Sequence, residues 1–82
     1  MNLAMIYSAL HDIGVPITQV FPATENTKGG ILVDKVWLIQ ITKNQEEPIL
    51  LDKICFTGMI NAVSSFHSVN DLLQFIMEYD EY

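Results

Sequence analysis

ILVDKVWLIQIT, residues 31–42, is the stretch on which the fold turns. Its odd positions (Ile31, Val33, Lys35, Trp37, Ile39, Ile41) are more apolar than its even ones (Leu32, Asp34, Val36, Leu38, Gln40, Thr42). That two-residue alternation marks a β segment with one face toward a core, and the odd face is the one it assigns there. Lys35 breaks the pattern, so a bulge or bend is expected at Asp34-Lys35.

Working outward, PATENTKGG (22–30) is low in apolar content and ends in a glycine pair, which reads as a loop. Before it, ITQVF (17–21) is rich in β-branched and aromatic side chains and reads as a short strand. After the β segment, KNQEE (43–47) is a polar turn, and Pro48 opens the next strand from a position that tolerates proline. That strand, 49–57, carries Leu50, Ile54 and Phe56 on one face and Ile49, Leu51 and Cys55 on the other. Apolar groups on both faces suit a central strand or one covered on both sides. Gly58 ends it. Residues 59–67 fit either a fourth short strand, around Met59–Val63, or a loop.

Helices bracket the strands. Leu3, Ile6, Tyr7, Leu10 and Ile13 form one stripe over residues 2–13. Gly14 is placed to take a left-handed cap, with Val15 folding back on Leu10 and Pro16 blocking continuation. Ser68 begins the last helix as N-cap, with Asp71 in the first turn. Val69, Leu72, Leu73, Ile76 and Tyr79 form its inward stripe, and Phe75 and Met77 fall on or beyond the edge. The order predicts an α+β fold of one domain, residues 1–82. Its antiparallel sheet of three or four strands is flanked on one face by an N-terminal and a C-terminal helix (α-β-β-β-α). Double-stranded RNA-binding domains share that order. They clamp phosphates with basic residues, however, whereas the closing helix here carries Asp71 and Glu78 and no lysine.

Composition narrows the function. Ten carboxylates face four lysines and no arginine, for a net charge of −6. Direct nucleic-acid binding, which draws on cations against phosphates, is not expected. Ten acids scattered over the chain are also too dispersed to imitate DNA. No apolar run approaches the ~18 residues of a membrane span, and no Lys or Arg precedes the first apolar stretch, so neither a membrane helix nor a signal peptide is expected. A lone Cys55 offers no internal disulfide and fits a reducing cytoplasm.

No catalytic constellation stands out. His11-Asp12 matches the metal-binding step of HD-type phosphohydrolases locally. Those enzymes are longer and all-helical and add further His and Asp ligands, so the pair reads as a helix end. Ser64-Ser65-Phe66-His67-Ser68 sets hydroxyls beside an imidazole without a third orienting group. Cys55, mid-strand with only Lys53 nearby, reads as an inert thiol. One cysteine and two histidines fall short of a zinc site, and Thr27-Lys28-Gly29-Gly30 lacks the spacing of a phosphate loop. No cofactor or metal is expected.

What remains points to association. Half of the residues are apolar and only 17% are charged, a great deal of apolar surface for so small a domain to hide. Phe75 and Met77 lie off the helix stripe. The ending Glu78-Tyr79-Asp80-Glu81-Tyr82 sets acids against the helix dipole at a cost of about a few tenths of a kcal/mol each, which a basic partner would offset. Only Asp34, Lys35 and Pro48 are available to guard sheet edges. The expected function is a non-enzymatic protein-binding module using residues Phe75 and Met77–Tyr82, a homodimer or a subunit of a larger complex. An inhibitor or immunity-type protein of the kind mobile elements encode is one version, and a phage or virion subunit assembling through strand edges is the alternative. A hydrolase using His11 and Asp12 is a remote third.

Overall fold

Asp34 and Lys35 do more than bend the chain; they reverse it. In the computed structural model, which describes residues 2–79, both adopt left-handed backbone angles (φ 51° and 62°), and the Val36 N–H donates to the Val33 carbonyl at 3.1 Å. This is a hairpin turn of the primed type. The expected single strand is therefore two, β2 (Thr27–Val33) and β3 (Trp37–Thr42), and the correction has a simple cause. Val33 pairs with Trp37 and Ile31 with Ile39, odd residue with odd, so the alternation passes through the reversal without changing phase. The odd face is the core face, as the pattern predicts: Ile31, Val33, Trp37, Ile39 and Ile41 are all buried.

The full order is α1 (Leu3–Asp12), β1 (Ile17–Phe21), β2, β3, β4 (Ile49–Ile54), β5 (Ile60–Phe66) and α2 (Val69–Tyr79). The strands form one antiparallel sheet in sequence order, β1-β2-β3-β4-β5. Five strands thus replace the three or four expected. β4 stops at Ile54 rather than 57, and the ambiguous 59–67 segment supplies β5. Between the pairs Leu51–Ser64 and Asp52–Ala62, Val63 is an extra residue, a bulge that spoils the alternation a sequence reader looks for.

The loop expected over 22–30 also ends early, since β2 starts at Thr27. Gly29 has φ +116°, and a Cβ there would stand 3.0 Å from Leu3 Cδ2. The glycine lets α1 settle onto an irregular strand, a role that resembles a loop signal in sequence.

Both helices lie on one face. Ile6 and Leu10 of α1, and Leu72 and Ile76 of α2, close over Ile31, Val33, Trp37, Ile39, Ile41, Ile49 and Leu51. The helix ends follow the sequence. Asn2 Oδ1 accepts from the Met5 N–H, and Ser68 Oγ accepts from the Asp71 N–H at 3.2 Å. Gly14 (φ +79°) closes α1, with Val15 N–H to Leu10 O and Gly14 N–H to His11 O, both 3.1 Å. Phe75, expected on or beyond the edge of the inward stripe, is half-buried at that edge. It packs edge-on to Trp37 and tilted against Phe66, because a fifth strand widens the surface beneath α2.

Candidate interaction surface

The even residues of the sheet point away from the helices. Register places Leu32, Leu38, Gln40, Leu50, Asp52 and Ile54 on that side, with Phe21 and Gln19 from β1 and Ile60, Ala62 and Ser65 from β5. Among the described residues no helix covers this face. Leu32, Leu38, Leu50, Ile54 and Phe21 are half-buried by their neighbours alone. Toward β1 the face dips into a concavity of about 290 Å³ lined by Phe21, Pro22, Thr24, Thr27, Gly30, Leu38 and Gln40.

Toward β5 the face runs into the β4–β5 hairpin. Its turn is closed by Cys55 N–H to Met59 O (2.9 Å) and Gly58 N–H to Cys55 O (2.8 Å). This holds Phe56 fully exposed at the tip, beside Met59 (63% exposed) and Ile60 (55%). Ile60 pairs with Ile54, so tip and face make one apolar surface. A lone exposed apolar side chain is ordinary, but a contiguous run of them marks a contact site.

Asp52 sits within this surface. It is the buried charged residue of the described chain, 8% exposed. Leu38 lies across from it on β3 and Ala62 on β5, with Leu50 and Ile54 two residues away on the same face. Burial among them pushes its carboxyl above the ordinary 3.8, because the charged form loses water. Lys53, next in sequence, points through to the helix side, its Nζ 5.6 Å from the Trp37 ring centroid.

The residues expected to bind a partner fall elsewhere. Phe75 is half-buried in the packing of α2. Met77 and Glu78 are exposed and share a shallow groove with Asn70, Leu73 and Gln74 on the outer side of that helix. Tyr79 is its last residue, and Asp80, Glu81 and Tyr82 lie outside the described residues. The structure therefore groups Met77 with Glu78 and separates both from Phe75. The sheet face and the hairpin tip were not anticipated. The available signal was Leu50-x-Asp52-x-Ile54, an acid inside an apolar alternation.

The other constellations resolve into local structure. His11 stacks on Tyr7 (centroids 6.5 Å apart) and Asp12 is exposed at the end of α1. Ser65 bonds to Glu47, His67 Nδ1 lies 3.1 Å from Asp71 Oδ2, and Ser68 caps α2, so no hydroxyl–imidazole pair forms there. Cys55 Sγ receives the Asn61 side-chain amide at 3.1 Å. Among the described residues no three His, Cys, Asp or Glu side chains converge to hold a metal ion, and no helix is long and apolar enough to cross a membrane. Comparison with protein-family models, with curated proteins and with solved structures found no match to this chain.

Proposed function

We propose that the chain is a small acidic, non-enzymatic protein-binding module, acting as an inhibitor or immunity-type protein that covers a basic site on its target. The observation that carries this reading is the uncovered apolar sheet face continuous with Phe56 and Met59. Its size suits the role. A molecule 33 × 28 × 20 Å in extent has room on one broad side for the ~800 Å² per partner of a standard stable interface. Phe56 has the character of an anchor residue, a large aromatic held out on a hydrogen-bonded turn.

The charge favours a basic partner over a second copy. Two copies meeting face to face bring together two net charges of −6 and two desolvated Asp52 carboxylates. A positively charged target meets neither penalty, and its encounter is electrostatically steered.

The test is site-specific photo-crosslinking in the producing cells, from position 56 and, as control, from position 12 on α1. The expected result is one discrete adduct with a basic protein from position 56 only, lost in Leu38→Glu. No adduct, together with a monomer in sedimentation at all concentrations, overturns the reading. A second reading, assembly through strand edges as a structural subunit, draws on β5, whose seven residues contain no charge and no proline. It predicts large, salt-insensitive particles in light scattering, and the Val63 bulge weighs against it.

A further inference from the structure

We infer that Asp52 is the receptor for one cationic side chain, a lysine ammonium or arginine guanidinium, carried by the protein segment that covers the sheet face. The inference rests on the interaction reading above and specifies its chemistry.

Four features lead to it. Asp52 is more than nine-tenths buried as a residue, its carboxylate is in none of the hydrogen bonds or ion pairs among the described residues, and its oxygens, not being enclosed, reach the surface of the open face. Its direct cross-strand partners Leu38 and Ala62 and its same-face strand neighbours Leu50 and Ile54 carry no donor, and the nearest amide and hydroxyl on this face, Gln40 and Ser65, stand opposite Leu50 instead. The nearest cation in sequence, Lys53, is directed to the opposite face. Register also sets Asp52 on the side of the sheet that no helix among the described residues covers. A carboxylate largely stripped of water and without a partner weakens a fold, and a cation brought to it from outside offsets that cost.

The chemistry of that complement is narrow. A divalent metal needs several oxygen ligands, and among the described residues Asp52 belongs to no group of three or more His, Cys, Asp or Glu that could hold one. A lysine or arginine fits, because its aliphatic stem can lie along Leu38 and Leu50 while its head meets the carboxylate. The leucines contribute area, and the ion pair contributes register and choice of partner.

The test uses n-butylammonium and n-butylguanidinium as probes of the whole protein, followed by amide chemical shifts, with n-butanol as the uncharged control. Saturable shifts are expected at Leu38, Leu50–Ile54 and Ala62, at least tenfold weaker with butanol and absent in Asp52→Asn and Asp52→Ser. Shifts that persist in both variants, or equal shifts at the exposed Glu25 and Glu46, overturn the inference. On the partner captured from position 56, Asp52→Asn should lower affinity at least tenfold. Unchanged affinity sinks the role of Asp52 and leaves the interaction reading standing. Probe binding at Asp52 with no captured partner does the reverse. The same shifts appearing on concentrating the protein alone would assign the cation to a second copy and overturn the heterologous partner.

Discussion

The two faces of the sheet are built from the same strands and have opposite fates. On the helix side, Ile31, Val33, Ile39, Ile41, Ile49 and Leu51 are at most 1% exposed beneath α1 and α2. On the other side, Leu32, Leu38, Leu50 and Ile54 alternate with them residue by residue and are half-buried, with no helix over them among the described residues. The chain thus distributes its apolar side chains over two surfaces and supplies helices for one. That asymmetry separates what holds the fold together from what is left for a partner.

Adjacent residues give the sharpest test. Ile39→Ala should cost about 2–5 kcal/mol, since it empties a site sealed by both helices. Leu38→Ala, one residue away on the open face, should cost at most about 1 kcal/mol, because a half-buried side chain has less surface to lose. Urea unfolding of the two variants measures the difference. If both lose equally, something covers the open face in the sample, and the loss at Leu38 should then depend on protein concentration.

The helices and the turn each keep one face distinct from the other. Ser68→Ala removes the acceptor for the Asp71 N–H and should loosen α2 by about 1 kcal/mol, read as a lower denaturation midpoint. Lys35→Gly should raise stability by about 0.4–1 kcal/mol by relieving a left-handed lysine. The turn it relaxes is already fixed by Pro16 O to the Asp34 N–H (2.8 Å) and Thr18 Oγ1 to the Lys35 N–H (3.0 Å). Those external bonds explain why a non-glycine pair holds this shape.

They also mark the limit of what the sequence discloses. The end of α1 at Gly14-Val15-Pro16 and the cap at Ser68 are set by neighbours in the chain and were legible. The core face of residues 31–42 was legible because alternation survives the hairpin, and the hairpin was hidden for the same reason. Asp-Lys lacks the Asn-Gly signal of such turns, and the bonds that hold it come from residues 16 and 18. β5 was obscure because its bulge shifts the phase at Val63 and its residues are mostly exposed. The candidate surface was obscure because Leu38 and Leu50 look like core until it is known that both helices dock on the other side. Half the residues being apolar did imply a surplus, but composition carries no address.

The smallest effect is expected at Asp52, and its sign distinguishes the two faces most directly. Burial raises its folded pKa, so the folded state binds a proton that the unfolded state has released between 3.8 and that higher value. Over this window stability falls as pH rises, and the penalty then persists at neutral pH. Asp52→Asn keeps the shape and has no such proton. It should therefore match the wild-type protein below pH 3.8, gain on it through the window, and hold a constant advantage above. The difference between the urea midpoints of the two proteins isolates this group. Equal midpoints at neutral pH would mean that the carboxylate keeps its water and the face is simply wet. An advantage at neutral pH that reverses once a basic partner is bound would mean that the same desolvation which weakens the free domain strengthens the complex.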